Sequence, residues 1–485
     1  MAMLRPLLVA VLLACTAAAQ AQLPAPVSQQ LAASKIPEDA VGVLVLRGDT
    51  ALVSHFAERA MQPASTIKLL TTLVGLEQLG PAFRGRTELR TAAPVVQASL
   101  MGNLILRGGA DADLSTEALT SMLQALRNQG VRKIEGKLVQ DRQLFNPARA
   151  DLGVPPFDES PDAYYNVIPD ALLVNKNMLL LDMRSNGTQV QVAMQPQLDR
   201  VTIESAFTLI EADCAKWEDG WKQPLVLREA DGRIRILLKG TYPKNCAKGN
   251  SINVLDRQDY VDRLMRQLWK QLGGEMNGPG VEGPTPPTAR LLAEHVSRAL
   301  PEVVRDINKP SDNTLARTVF LSLGSLEADA VNGSHPVPAS PADTTASRTE
   351  FAIRNWMRKQ GINDVGLVLE NGSGLSRTEK ISALQMAGVL QAGLRSKWSP
   401  EFQSSLPIAG VDGTMRRRLK DTPAFERARI KTGGLSNVVA IAGYVPDANG
   451  QQCVVVAMIN SDTPGGRAAL DALIEWVARS GGTVQ

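Results

Sequence analysis

The first sustained pattern along the chain is the apolar run Val41-Gly42-Val43-Leu44-Val45-Leu46, followed by a Gly48-Asp49 turn and a weaker strand pattern from Ala51 to Phe56. The far end repeats this style. Asn437 to Tyr444 reads as a strand, Pro446-Asp447-Ala448-Asn449-Gly450 as a turn, and Gln452 to Asn460 as a second strand. Arg467 to Arg479 then sets Leu470, Leu473, Ile474 and Val477 at helical spacing. Both ends therefore predict one antiparallel sheet with helices on its faces, an α+β arrangement.

The stretch between them has a different texture. Alternating strand patterns such as Thr188 to Met194 and Arg233 to Leu238 predominate, with helices predicted from Thr116 to Gln129 and from Arg257 to Leu272. It reads as an insertion. A chain of 485 residues exceeds what one apolar core usually supports. The expected division is a first domain from residues 22–84 and 285–485, a second from 85–155 and 255–284, and a third, β-rich, from 156–254. Gly278 to Pro287 is expected to be the linker back, and Ala328 to Thr345, with its prolines and serines, a surface loop.

Composition narrows the compartment and the chemistry. After Arg5 the chain is apolar from Leu7 to Ala14 and then runs Ala17-Ala18-Ala19-Gln20-Ala21, the layout of a secretory signal peptide over residues 1–21. A lipoprotein site at Leu12-Leu13-Ala14-Cys15 is the competing reading, but Leu13 fits it poorly. The expected product is secreted, periplasmic, and at most peripherally attached to a membrane. With 52 basic against 49 acidic residues and 4% aromatics, nothing resembles a nucleic-acid groove. An oxidising compartment favours pairing of Cys214 with Cys246, which flank a strand pattern, and leaves Cys453 as a buried thiol in an apolar run. The three histidines, His55, His295 and His335, are not at metal-ligand spacing, so neither a metal site nor any other cofactor is expected.

Three short motifs remain: Ser65-Thr66-Ile67-Lys68, Ser311-Asp312-Asn313 and Lys431-Thr432-Gly433. A Ser-x-x-Lys arises about once by chance in a chain of this length. Context raises its weight. Pro63 suits the opening of a helix that Leu69, Leu70, Leu73, Val74 and Leu76 continue to Gly80-Pro81, so Lys68 lies one turn from Ser65 on the same face. A lysine among leucines is costly unless it has partners or work. The second motif is also a good helix N-cap. In the third, Gly433 and Gly434, on an apparent inner strand, either form a bulge or let a substrate backbone lie alongside.

In this order the motifs resemble those of the penicillin-interactive serine enzymes. Pro63 to Lys68, Leu106 to Asp111, Asn371 to Arg377 and Leu406 to Thr414 narrow the resemblance to the D-alanyl-D-alanine carboxypeptidase/endopeptidase group of low-molecular-mass, class C penicillin-binding proteins, which carry a large insertion after the first motif. The resemblance implies a serine β-lactamase/penicillin-binding transpeptidase-like domain with a largely β insertion forming two further domains. It also implies peptidoglycan and its D-alanyl-D-alanine peptides as substrates and β-lactams as inhibitors. Ser65 would be the nucleophile, and Lys68, its pKa lowered by Lys431 and a helix N-terminus, the base. The resemblance gives Ser311 a proton-passing role and Asn313 a bond to the peptide. It gives Lys431 positive charge, Thr432 the terminal carboxylate, and the N–H groups of Ser65 and Gly434 the oxyanion hole. Asp141, Phe145 and Arg377 are the candidates for contacting the stem-peptide side chain. The alternatives are a β-lactamase or related esterase on the same scaffold, and a non-catalytic peptidoglycan-binding module.

Overall fold

The computed structural model describes residues 22–481 except 339 and 341. The expected leader and Cys15 lie outside the described residues. The two ends of the chain build one five-stranded antiparallel sheet, in the order Thr50–His55, Val41–Arg47, Gln452–Asn460, Val438–Pro446 and Arg429–Leu435. Successive side chains of a strand point to opposite faces, and here both faces are covered. Leu44, Val454, Val456 and Met458 join the core with Leu69 and Leu73 of the Lys68–Gln78 helix, Val319 of Asn313–Leu323 and Leu390 of Ala383–Arg395. Val43, Val45, Val455 and Ala457 face the other way, against Leu31 of the Ala25–Ala33 helix and Leu470, Leu473 and Val477 of Arg467–Arg479. This is why these strands read as continuous apolar runs rather than as alternation.

The strand Arg429–Leu435 is at the edge of the sheet, not inside it as its sequence suggested. Being at the edge, it has no strand partner on its outer side, where only its start is bridged, by Pro407 and Ile408, and Gly433 and Gly434 keep the remainder clear of side chains.

The insertion holds a five-stranded sheet in the order Gly280–Glu282, Leu138–Asp141, Leu104–Gly109, Arg86–Thr91 and Arg290–Val296. Two three-stranded sheets follow, one centred on Leu179–Ser185 and one on Ile234–Pro243. Helices Thr116–Asn128 and Arg257–Gln271 share with all of these one apolar cluster that includes Leu106, Leu123, Leu181, Ile236 and Leu264. The Gly278 to Pro287 stretch is more than a linker, because Gly280–Glu282 pairs with Leu138–Gln140. The small residues serve close packing there: a Cβ at Gly278 would collide with the Gly136 carbonyl. Ala328 to Thr345 is likewise not all loop. Leu326–Asp329 and Gly333–Pro336 form a hairpin, its turn held by Val331 and Asn332 N–H donated to the Asp329 carboxylate.

Cys214 and Cys246 are joined by a disulfide with Cα atoms 5.3 Å apart, tying the second three-stranded sheet to the start of the Ala247–Ile252 strand of the first. Cys453 is a buried free thiol. Among the described residues, no helix is long and apolar enough to cross a membrane and no group of three His, Cys, Asp or Glu could hold a metal ion.

Candidate active site

The first motif begins in a tight 3-10 turn, Ala64–Ile67, that runs directly into the Lys68–Gln78 helix. Thr66 caps the turn by donating its hydroxyl to the Pro63 carbonyl at 2.7 Å. Ala64 is held at φ 45°, a left-handed conformation that costs a residue with a Cβ and persists only when its surroundings impose it. Two glycines do so. A Cβ at Gly374 would run into the Ala64 carbonyl, and one at Gly433 would stand 2.7 Å from the Pro63 carbonyl. The edge strand and the Asn371–Gly374 loop can therefore press on either side of Ser65, which stays half-exposed between them.

Lys68 is wholly buried, and its ammonium has three neighbours: Ser65 Oγ at 2.9 Å, Asn313 Oδ1 at 2.7 Å and the Ser373 carbonyl. Two of these can only accept. A neutral Lys68 can donate one N–H to each of them, leaving its lone pair for the Ser65 hydroxyl proton. Burial first, then the charge of Lys431, drives the Lys68 pKa well below the ordinary lysine value, against an opposing pull from the Glu379 carboxylate. The sequence expectation named Lys431 and a helix N-terminus as causes; desolvation is the larger one.

The second motif joins from the insertion side. Asp312 caps the Asn313–Leu323 helix by accepting from Leu315 N–H at 2.9 Å, and also pairs with Lys176. N-capping and site-building are thus two uses of one motif. The turn puts Ser311 at φ 70° and aims its hydroxyl at Lys431, whose Nζ donates to Ser311 Oγ at 2.8 Å and to the Thr432 carbonyl at 2.7 Å. Lys431 is also wholly buried, and desolvation lowers its pKa to about 7. Thr432 Oγ1 bonds Thr414 Oγ1 at 2.8 Å, and Gly434 is exposed, with open space where a Cβ would stand.

Ser373, Glu379, Tyr165, Lys176 and, described below, Asp158 were not named from sequence as site residues. Glu379 is buried, and its carboxylate accepts from the N–H groups of Glu370, Asn371, Gly372 and Gly374 at 2.7 to 3.2 Å. It thereby fixes the loop whose Ser373 carbonyl meets Lys68. Burial raises its pKa, while the N–H groups of Asn371, Gly372 and Glu370 pull it back. The Tyr165 carbonyl accepts from Asn313 Nδ2 at 3.0 Å and so orients the amide toward Lys68. The motif-bearing stretch Asn371 to Arg377 was the available signal for Ser373; no local pattern marks Tyr165 or Lys176.

Of the outlying candidates, Arg377 lies at this site. Its guanidinium stacks 4.6 Å from the Phe157 ring and donates to the Phe157 carbonyl, while its own carbonyl accepts from Gln62, three residues before Ser65. Asp141 and Phe145 do not. They line a separate cleft that contains no residue of the three motifs. The Asp141 carboxylate is consumed by Thr285 N and Oγ1 and by Gln143 N, and Phe145 is packed in the core. Asp158 lies close enough to feel the charge of Arg377: partial burial raises its pKa, but hydrogen bonds from Ser160, Asn166 and Tyr165, with a smaller contribution from Arg377, bring it below the ordinary carboxylate value.

Residues 23–480 match the D-Ala-D-Ala carboxypeptidase 3 (S13) family. The chain is 28% identical over 437 residues to the D-alanyl-D-alanine carboxypeptidase DacB of Haemophilus influenzae, covering 89% of this chain and 88% of that one. It is similar to the crystal structure of penicillin binding protein 4 from Haemophilus influenzae, with a TM-score of 0.74 and 25% identity over 93% of this chain and 97% of that one. The same protein complexed with a β-lactam superposes with a TM-score of 0.71 and 26% identity, over 93% and 98%.

Proposed function

The chain belongs to the D-Ala-D-Ala carboxypeptidase 3 (S13) family, and from that premise we propose that it cleaves D-alanyl-D-alanine ends of peptidoglycan stem peptides, and the cross-links built from them, through an ester on Ser65. The observation that carries this reading is the environment of Lys68. Two acceptor-only neighbours and wholesale burial leave a neutral amine facing the Ser65 hydroxyl. Ser65 Oγ attacks the carbonyl carbon of the penultimate D-alanine while its proton passes to Lys68 Nζ. The proton travels by way of Ser311 to the nitrogen of the leaving D-alanine, the C–N bond breaks, and the ester remains. Water then attacks the ester, giving its proton to Lys68, and Ser65 is restored. The N–H groups of Ser65 and Gly434 hold the oxyanion, each such donor contributing about 3 kcal/mol to the transition state. Lys431 and Thr432 bind the terminal carboxylate, Asn313 the peptide, and Arg377 with Asp158 the stem-peptide side chain at the mouth.

β-Lactams fit the same reading, since the Haemophilus influenzae relative is known in complex with one. A β-lactamase would need a further base to free the ester quickly. Glu379, the buried glutamate nearest in role, spends its carboxylate on four backbone N–H groups. The wall substrate and the leader pattern of residues 1–21 together support work in the periplasm. For the domain division we propose 22–84 with 297–485, 85–155 with 255–296, and 156–254: the return crossing expected at 284/285 moves to after Val296, because Arg290–Val296 still pairs with Arg86–Thr91.

Labelled penicillin followed by peptide mapping tests the nucleophile: a stable adduct on Ser65 is expected, and one elsewhere sinks the assignment. Rapid release of the opened drug would favour a β-lactamase. Mass spectrometry of wall-peptide digests should show loss of one D-alanine from free ends and conversion of cross-linked dimers to monomers.

A further inference from the structure

A cleft of about 600 Å³ opens along the edge strand beyond the catalytic groups. Thr432, Gly433 and Gly434 form one wall; Thr414, the run Arg416-Arg417-Arg418, and Arg467 form much of the rest. No acidic residue lines it. Arg418 is paired with Asp471 at 2.6 Å, but Arg416, Arg417 and Arg467 are exposed and have no carboxylate partner among the described residues. Arg467 opens the C-terminal helix, whose first turn has no acid and whose N-cap Gly466 offers no side chain. A cation at the positive end of a helix is disfavoured there. Three unpaired guanidinium groups and a helix N-terminus thus share one concave wall, which focuses a positive field on whatever enters.

The position of the cleft selects its ligand. An extended peptide that adds to the free edge of Arg429–Leu435 brings its leaving residue to Thr432, and the Thr432–Thr414 hydroxyl bond joins that point to the cleft wall. Anything attached to the leaving residue continues into the cleft. A free-ended stem peptide leaves a single D-alanine. A cross-link leaves a residue of a second peptide, which carries further carboxylates. Resting on the serine acyl-transfer reading above, we infer that this cleft is the leaving-side subsite for the second peptide of a cross-link, its carboxylates received by Arg416, Arg417 and Arg467.

The test compares kcat/KM for a purified cross-linked muropeptide dimer and for the free-ended pentapeptide monomer, in the wild type and in a variant combining R416Q, R417Q and R467Q. Penicillin labelling stoichiometry serves as the measure of folded protein. The wild type should prefer the dimer, and the dimer-to-monomer ratio should fall about tenfold in the variant, as it should in the wild type at high salt. A second variant, R416K with R417K and R467K, should recover most of the ratio. A wild type that does not cut the dimer, a ratio that the glutamine variant leaves unchanged, or equal losses on both substrates overturns the inference. So does a variant whose only defect is loss of binding to phosphatidylglycerol vesicles, which would make the cleft a lipid-headgroup site. Failure of penicillin to label the wild type would instead bring down the acyl-enzyme reading, so the two failures are distinguishable.

Discussion

Lys68 and Lys431 in the active site and Arg142 and Arg257 in the insertion are all nearly inaccessible, at 0%, 0%, 2% and 5% exposure, yet only the arginines are neutralised by a carboxylate. Asp170, also buried, accepts from Arg142 Nε at 3.0 Å and Arg257 Nη1 at 3.2 Å. The two lysines are bonded only to hydroxyl, amide and carbonyl oxygens. A guanidinium cannot give up its proton near neutral pH, so burying it is costly without a counter-charge; an ammonium can, so burial without one becomes a means of lowering its pKa. The insertion buries charge to hold segments together. On the proposed mechanism, the active site buries it to make a base.

The largest expected effect follows from forcing the first region to behave like the second. Lys68→Arg places a permanent cation where a neutral amine has to accept the Ser65 proton, and acylation should drop by about 10² to 10⁴-fold, the usual worth of a positioned base. Stopped-flow mixing with a chromogenic β-lactam reads it directly. If the variant kept a tenth of the rate, the base would lie elsewhere, with Ser311 and a water the next candidates.

The converse change breaks the insertion. Asp170→Ala leaves the two buried guanidinium groups only their longer pairings, Arg142 with Glu282 at 3.4 Å and Arg257 with Asp151 at 3.6 Å, and stability should fall by about 3 kcal/mol. Urea unfolding followed by tryptophan fluorescence measures the loss. A loss under about 1 kcal/mol, which an exposed pair would give, would mean that water reaches this cluster and that the contrast with the active site is one of degree.

The same contrast explains what could be read from the chain in advance. The sheet and its helices were legible because Val41 to Leu46 and Gln452 to Asn460 announce themselves as apolar runs, and Ser65, Lys68, Ser311 and Lys431 because the chemistry needs those residue types in short, ordered motifs. The edge position of Arg429–Leu435 was not legible: an edge strand backed on both faces by buried neighbours has the composition of an inner one. The surroundings of Asp141 were not legible for a related reason. An acid at the end of a strand has the same local pattern whether it holds Thr285 or faces a substrate, and only the tertiary fold places it against Thr285. Asp158 and Tyr165 reach the active site from a stretch with no strand and only a short 3-10 turn, so no periodicity marks it. No local pattern marks Glu379 as buried; the glycine-rich loop that wraps it is what buries it.

The smallest effect, and the sharpest test of the comparison, belongs to Lys431→Arg. On the proposed mechanism Lys431 serves as a charge and not as a base, so a guanidinium there, although buried without a carboxylate, keeps the function that Lys68→Arg destroys and should cost less. The sign can be worked out. Burial brings Lys431 to a pKa of about 7, below the ordinary lysine value, so in the free enzyme its charge is present at acid pH and lost as pH rises through that value. Lys68 runs the other way in its consequence: it has to be neutral to accept a proton, so activity falls as pH drops through its own lowered pKa. For a substrate ending in a carboxylate, kcat/KM reports the free enzyme and should therefore be bell-shaped, with Lys68 setting the acid limb and Lys431 the alkaline one. Arginine at 431 keeps its charge throughout, so the alkaline limb should disappear while the acid limb remains. The added bulk should cost about two- to tenfold at neutral pH, as overpacking of a buried site typically does. Measuring kcat/KM for a D-alanyl-D-alanine peptide from about pH 5.5 to 9.5 in both proteins decides it. An alkaline limb that survives in Lys431→Arg would assign that limb to another group, and the division of labour between the two lysines would have to be withdrawn.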